Sequence, residues 1–367
     1  MIFSFGIEHE VAFLNHEEIF ADFSSTSFSK FNQIIERLPT YPDDHLQLHI
    51  GDAGIRKKRW YIEGFERFTE SGELRDCLPK GIEIRTTIHS SIQSTIDELS
   101  HSFSLLCNIA FEAGFSPVLT SFNPYKTVFK PHPPLNKYEL QQLQSDFDEQ
   151  TATIYMVTYG PDLNFSIANL SIENTIDIGR KLIYYSPYIV PFSYSSPFYN
   201  GCLWQGLSVR TFIRTGQRPT TLIFVQDRDQ LIYNTPSLTK VARLPAEIGR
   251  IEFKAFDSCD DFSIYAALLA LLKGLAMDES LSGRANAPDV ALHQISAKAG
   301  FEDEDIFLNA TAVLQAAELA LRDDPDVNLL TPLKLMLLER KTISHTLIEL
   351  FKRSGSIEKA LKCTYQR

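Results

Sequence analysis

Acidic residues occupy alternate positions near the start of the chain. Glu8 and Glu10 lie in Gly6-Ile7-Glu8-His9-Glu10-Val11, where apolar and polar residues alternate as in a β-strand. Both carboxylates therefore point to one face of the predicted strand, about 6–7 Å apart, whereas His9 points to the other face and is predicted to pack. Like charges at that separation need solvation or a shared cation, and Mg²⁺ prefers carboxylate oxygens. The pair indicates either a metal site or a solvated strand face.

Two later segments carry acidic and basic residues with the same alternation. They contribute Glu83 and Arg85 in residues 81–87, and Arg250, Glu252 and Lys254 in residues 249–255. A strand face of this composition suits metal-bound polyphosphate, because acids bind cations and cations bind phosphate oxygens. A salt-bridged face open to solvent remains the alternative.

The elements that position these residues are mainly strands before residue 260 and helices after it. Strands are predicted at 2–14, 46–50, 58–65, 81–87, 151–169, 206–214, 220–225 and 249–257, and helices at 90–114, 137–150, 172–185, 261–277, 288–299, 303–322 and 331–352. The absence of strict alternation favours an α+β fold with a mainly antiparallel sheet. We expect one large domain, with a sheet-containing catalytic core in residues 1–260 and a helical part in residues 261–367.

Composition excludes several classes of protein. The 367 residues include 35 Lys and Arg against 46 Asp and Glu, and this net charge of −11 disfavours nucleic acid or an anionic membrane as partner.

The dinucleotide, P-loop, zinc-protease and hydrolase motifs are absent from the sequence. The five cysteines have no CxxC spacing, and the longest apolar run, residues 264–272, is too short to span a membrane. With no signal-peptide pattern at the N-terminus, the sequence predicts a cytoplasmic protein.

Five sequence elements, in this order, resemble the ATP-dependent carboxylate–amine ligases related to glutamate–cysteine ligase. They are Gly6-x-Glu8-x-Glu10; the set Asp76, Glu83 and Thr86; the Ser-Pro segment 193–199; Ser208-x-Arg210-Thr211; and Glu252-x-Lys254. The resemblance covers residues 6–257 and implies a fold of the glutamine synthetase type. In such a fold a curved, mainly antiparallel sheet forms a cradle, backed by helices, and binds ATP with magnesium or manganese ions.

The resemblance also implies roles for individual residues. Metal ligands would be Glu8, Glu10, Asp76, Glu83 and Glu252; cofactor-binding residues would be Arg85, Asn164 and Arg250; and catalytic residues would be Arg210 and Lys254. Arg210 and Arg214 are four apart on a predicted strand, so either could bind a carboxylate or a phosphate, and Arg210 is preferred because it matches the family element.

Two positions depart from the family pattern. The segment 162–166 has no histidine where many members carry a polar pair, and Lys254 stands where arginine is usual. Lysine keeps the positive charge but loses the planar, two-pronged geometry that suits phosphate. Slower turnover or a different acyl acceptor would be consistent with these changes.

The reaction that the resemblance implies joins a carboxylate to an amine through an acyl phosphate. Glutamate with cysteine, as in glutathione biosynthesis, is the family's default pair of small-molecule substrates. One alternative is a ligase for another acid and amine, and another is a catalytically silent, nucleotide-binding regulatory relative. The oligomeric state is left open, a homodimer included.

Overall fold

Strands and helices alternate irregularly along the chain. The structure is a computed structural model that describes residues 1–42, 44, 58–145, 153–362 and 365. The strands are β1 Phe3–Asn15, β2 Phe20–Ala21, β3 Trp60–Phe68, β4 Leu74–Arg85, β5 Phe115–Val118, β6 Asp162–Ile167, β7 Phe198–Tyr199, β8 Cys202–Leu203, β9 Thr221–Val225, β10 Thr239–Val241 and β11 Ile251–Phe253. The helices are α1 Phe28–Arg37, α2 Ile92–Glu112, α3 Lys137–Ser145, α4 Ile172–Ile189, α5 Val209–Arg214, α6 Phe262–Met277, α7 Val290–Ala299, α8 Glu304–Ala320, α9 Thr331–Glu339, α10 Ile343–Ser354 and α11 Ile357–Lys362. The predicted strand 46–50 lies outside the described residues.

A nine-stranded sheet forms the centre of the fold. Its strand order is β10-β9-β11-β6-β1-β4-β3, and β2 and β5 also pair with β1. The sheet is curled into a half-barrel, and its pairs are antiparallel except for β9 with β10. The predicted α+β fold, with a curved, mainly antiparallel sheet and a helical C-terminal part, is therefore confirmed.

One face of this sheet packs against helices and forms the core. Along β1, Phe3, Phe5, Ile7, His9 and Val11 are buried, whereas the residues between them are partly open, as the pleat of a strand requires. The main apolar cluster joins the sheet to α2, α4, α6 and the later helices. Strands and C-terminal helices therefore share one core.

His9 belongs to that core, as predicted. Its ring contacts those of Phe103, Phe262 and Tyr265, with the Tyr265 hydroxyl 3.0 Å from Nδ1. Burial lowers the pKa of His9 to about 3, so the imidazole is neutral at physiological pH. The sheet thus has an apolar helical face and, opposite it, the face that carries the carboxylates.

Three predicted elements differ in the structure. Among the described residues of the strand predicted at 151–169, Ile154–Val157 form a 3-10 helix, and β6 begins only at Asp162. Residues 206–214, predicted as a strand, contain helix α5, because the Ser208 hydroxyl accepts the Thr211 N–H at 3.0 Å and caps a first turn. A helix of six residues is too short to show a period that distinguishes it from a strand. Residues 331–352, predicted as one helix, form α9 and α10, because Arg340 adopts a left-handed conformation at φ 51° and ends the first helix.

The helices of the described residues are too short or too polar to cross a lipid bilayer. The longest of them, α2, is partly exposed along its length, and α6, the most apolar, has 16 residues and is buried in the core.

Gly81 lets β4 approach β1 closely. A Cβ at Gly81 would lie 2.4 Å from the Val11 carbonyl oxygen, and backbone cannot move aside as a flexible side chain can. We therefore expect Gly81→Ala to lower the free energy of unfolding by about 1–3 kcal/mol, measured by urea denaturation. Gly6→Ala is the matched control, because the nearest atom to its Cβ position is at 3.7 Å. Equal stability of the two variants would contradict this explanation.

Candidate active site

The strand register brings the acidic side chains of five strands, β1, β3, β4, β6 and β11, to the face opposite the helices. Glu10 lies opposite Glu83, and Glu8 lies opposite Arg85 on one side and Asp162 on the other. Directly opposed residues in neighbouring strands point to the same face. Asn164 is two residues from Asp162 on β6, so it points to the same face, and it lies opposite Glu252. Strand β11 therefore adds Glu252 to the same surface.

Glu8, Asp162 and Glu252 form a first group of carboxylates, here called triad A. One oxygen from each lies within 4.8 Å of the others. The Lys254 ammonium donates hydrogen bonds to Asp162 and Glu252. Arg250 lies 3.5 Å from Glu8 and 3.4 Å from Glu252. Two cations therefore partly offset three carboxylates.

The crowding in triad A separates the pKa values of its members. Burial, together with Glu252 and Asp162, raises the pKa of Glu8 to about 7. Burial would also raise the pKa of Glu252, but Lys254 and Arg250 outweigh it and hold this pKa at about 2. The pKa of Asp162 is raised, chiefly by burial. A further cation at triad A would relieve the repulsion that remains.

Glu10, Glu63 and Glu83 form a second group, here called triad B, again with oxygens within 4.8 Å of one another. Lys80 donates a hydrogen bond to Glu10 at 2.8 Å and lies 3.9 Å from Glu63. The Tyr61 hydroxyl donates to Glu83. Burial, followed by repulsion from Glu8 and Glu63, raises the pKa of Glu83 well above its ordinary value. Repulsion among carboxylates therefore acts in triad B as well.

The donors of both triads fit a hard divalent cation. Three carboxylates at short mutual distance are the ligands that Mg²⁺ and Mn²⁺ prefer. Asn164 supports this assignment, because it is buried and its Oδ1 has no hydrogen-bond partner among the described residues. A buried carbonyl oxygen without a partner is costly unless a ligand or water satisfies it. Each triad could therefore hold one ion.

A cavity of about 110 Å³ adjoins triad A. Glu8, Arg85, Asn164 and Arg250 line it together with Phe5 and Ile88. The Arg85 guanidinium donates two hydrogen bonds of 3.2 Å to the Lys58 carbonyl and lies over the Tyr61 ring. The cavity therefore offers apolar walls beside positively charged groups, an arrangement that suits an organic anion.

Arg210 lies beneath the end of β11. Its guanidinium donates to the carbonyls of Lys254 at 2.9 Å and Ala255 at 3.1 Å, and its Nε has no partner among the described residues. The guanidinium packs on Gly160, where a Cβ would lie 2.4 Å from Nη2. Gly160 in turn donates its N–H to Glu10 at 2.9 Å. Arg210 is thus linked by backbone contacts to both the lysine and triad B.

Most residues predicted from the sequence meet on this face. Glu8 and Glu252 lie in triad A, Glu10 and Glu83 lie in triad B, Arg85, Asn164 and Arg250 line the cavity, and Arg210 and Lys254 lie beside them. Their roles stay predictions. Arg214, on α5, is also buried, and burial followed by repulsion from Arg210 and Arg218 lowers its pKa.

Asp76 does not join either triad. It lies seven residues before Glu83 on the same strand, roughly 23 Å away at the usual rise of a strand. Its side chain is exposed and accepts the Cys77 N–H at 2.8 Å. Distance along β4 therefore separates Asp76 from the other predicted ligands.

Three residues of the site were missed by the sequence analysis: Glu63, Lys80 and Asp162. Asp162 alternates with Asn164 as Glu8 does with Glu10, so the same signal was present. Glu63 lies in a predicted strand but faces Gly81 across an irregular register, which spacing cannot reveal. Lys80 lies just before the predicted strand 81–87, and no pattern marks it.

Comparison with known proteins gives solved structures only; the protein-family models and the curated proteins contain no match. The whole chain aligns with a bifunctional glutathione synthetase from Pasteurella multocida at 12% identity and a TM-score of 0.59, covering 52% of that chain. It aligns equally fully with a glutamate–cysteine ligase from Francisella tularensis in complex with AMP, at 11% identity and a TM-score of 0.59, covering 89% of that chain. The ligase PafA, in complex with the prokaryotic ubiquitin-like protein Pup, aligns with 99% of the chain at 11% identity and a TM-score of 0.55, with 73% of PafA covered.

These likenesses concern the fold. The chain spans about half the length of the bifunctional synthetase, and all three identities are low. The alignments nevertheless extend over nearly the entire chain. The protein therefore has the fold of the carboxylate–amine ligases, as the sequence elements predicted.

Proposed function

We propose that the protein is an ATP-dependent ligase that joins a carboxylate to an amine. The observation that carries this proposal is the pair of carboxylate triads on one sheet face, with Arg250, Lys254 and a cavity beside triad A. Acids that bind metal ions, next to cations that bind phosphate oxygens, are what a reaction of metal-bound ATP requires. The fold of the solved ligases supports the same conclusion.

The chemistry explains why both kinds of group are needed. A carboxylate reacts poorly with amines because its leaving group would be oxide, and phosphorylation by ATP replaces that oxide with phosphate. Magnesium or manganese ions, when bound, neutralise the phosphate charge. The residues of this chain hold the reactants in line and exclude water, which accounts for most of the catalysis in phosphoryl transfer.

The two triads suit different reactants. Triad A adjoins the cavity through Glu8 and Arg250, so we assign the nucleotide to this side. Lys254 and Arg250 would then contact the phosphate oxygens. We assign the acid substrate to the neighbourhood of triad B, where Lys80 contacts Glu10 and Glu63. The amine would approach between them.

Glutamate and cysteine are the first substrate pair to test, because one solved structure with the same fold is that of a glutamate–cysteine ligase. Another acid and amine pair is the main alternative. PafA, whose structure contains a protein partner, shows that this fold also accommodates a protein ligand. Loops such as residues 119–136 would determine the choice, since loops vary more than the sheet beneath them.

The first prediction tests the activity itself. Purified protein with ATP, Mg²⁺ and a panel of amino acids and amines should release ADP only when both an acid and an amine are present. Coupled-enzyme detection of ADP and mass spectrometry of the product provide the measurement. If ATP binds but no ADP is released across the panel, the silent nucleotide-binding alternative is correct.

The second prediction concerns the metal ligands. Glu63→Gln should weaken Mn²⁺ binding to nucleotide-free protein at least about tenfold, because it removes one carboxylate from triad B. Asp76→Asn should leave binding unchanged, since Asp76 is exposed and far along β4. Isothermal titration calorimetry measures both. The reverse result would restore Asp76 as a ligand and remove Glu63.

The third prediction concerns Arg210. Arg210→Ala should lower turnover by about 10²–10³, the cost of losing one charged donor to a developing anion. The substitution also removes the hydrogen bond that holds the Lys254 carbonyl. Because the lost interactions act mainly in the transition state, kcat should fall by a larger factor than KM rises. Arg284→Ala is the control, because Arg284 forms its ion pair with Asp177 on the helical side. Full turnover in Arg210→Ala would refute the assignment.

A further inference from the structure

The ammonium of Lys254 lies where a cation of triad A would lie. It donates to Asp162 and to Glu252, which are two of the three carboxylates of the triad. The ammonium forms an ion pair with each of these carboxylates, so the side chain is charged. The triad therefore already contains a positive charge that belongs to the chain.

Lys80, in triad B, differs from Lys254 in how it is held. Lys80 is 1% exposed and donates to the carbonyls of Tyr155 and Thr158 at 2.8 and 2.9 Å, with Glu10 as its hydrogen-bonded carboxylate. The Lys254 side chain is 16% exposed, and the partners of its ammonium are carboxylates of the triad. Lys80 is therefore fixed by backbone, whereas Lys254 is held by the same groups that would bind a metal ion.

We infer that Lys254 is a tethered cation that occupies triad A in the nucleotide-free protein, and that a divalent ion replaces it there only together with a polyphosphate. The Lys254 ammonium pairs with two of the three carboxylates that would bind the ion, and Arg250 pairs with Glu8 and Glu252 at the same triad. A divalent ion entering triad A would meet the ammonium at short range, where repulsion is strong. This inference rests on the proposed function for the identity of the polyphosphate.

Displacement requires a new partner for the ammonium. Phosphate oxygens entering from the cavity would provide it, because they carry negative charge and approach beside Arg250. A lysine on a flexible stem can move between two anionic partners more readily than a planar guanidinium bound by two prongs. The lysine at position 254 thus gives the site a charge that moves from carboxylates to phosphate as the nucleotide binds.

Counting bound Mn²⁺ by electron paramagnetic resonance tests this inference without turnover. Nucleotide-free wild type should bind one ion per chain, at triad B, and a non-hydrolysable ATP analogue should add a second site at triad A. Lys254→Met should bind the second ion without nucleotide, at least about tenfold more tightly than wild type, because one unit of repulsive charge has been removed. Lys254→Arg, which keeps the charge, should bind one ion without nucleotide, as wild type does.

Lys273→Met is the matched control. Lys273 also bridges two aspartates, with its ammonium 2.7 Å from both Asp324 and Asp326, but it lies outside both triads. Its loss should leave the count at one. Lys254→Gln, with a thermal melt of each variant, replaces Lys254→Met if the latter fails to fold.

Two results would overturn the inference. One is two ions of similar affinity in nucleotide-free wild type, and the other is an unchanged count in folded Lys254→Met or Lys254→Gln. Neither depends on catalysis, so a protein that releases no ADP but shows the expected counts would contradict the proposed function alone. A working ligase with unchanged counts would contradict the inference alone.

Discussion

Repulsion among six carboxylates on one sheet face is the constraint on which the rest of the structure depends. Burial and neighbouring carboxylates raise the pKa of both Glu8 and Glu83, so the ionised groups would be more stable further apart. They stay close together because the apolar core on the opposite face holds their strands in register. Stability supplied by the helical side thus maintains an electrostatically unfavourable surface on the other, which is how binding sites for cations are commonly kept ready.

Part of this arrangement could be predicted because strands have a fixed period. Alternation alone assigned Glu8 and Glu10 to one face and His9 to the other, and both assignments agree with the structure. Periodicity does not say which strands are neighbours, however. That β6 lies between β1 and β11, bringing Asp162 and Glu252 to Glu8, depends on long-range pairing that no local pattern encodes. The order of the sequence elements suggested proximity but not register.

At three positions the structure differs from the arrangement that the pattern suggested. Asp76 matched a spacing, yet spacing along one continuous strand separates residues rather than gathering them. Glu63 was missed because an irregular register next to Gly64 decides its position. The strand predicted around Arg210 is a short helix, since a hydroxyl cap at Ser208 can start a turn in a segment whose apolar pattern is ambiguous. Strand length, an irregular register and a helix cap therefore each override the pattern at one position.

The difference between the two lysines indicates how the fold separates structural from functional charge. Lys80 is enclosed by backbone carbonyls, so its charge is a permanent part of triad B. Lys254 follows β11 directly, and Arg210 holds its carbonyl while the ammonium remains free to exchange partners. The main chain of Lys254 is fixed by one guanidinium, and its ammonium binds the carboxylates of Asp162 and Glu252. This combination favours transfer of charge without movement of the sheet. Lys254 therefore combines a fixed main chain with an ammonium group that can change partners.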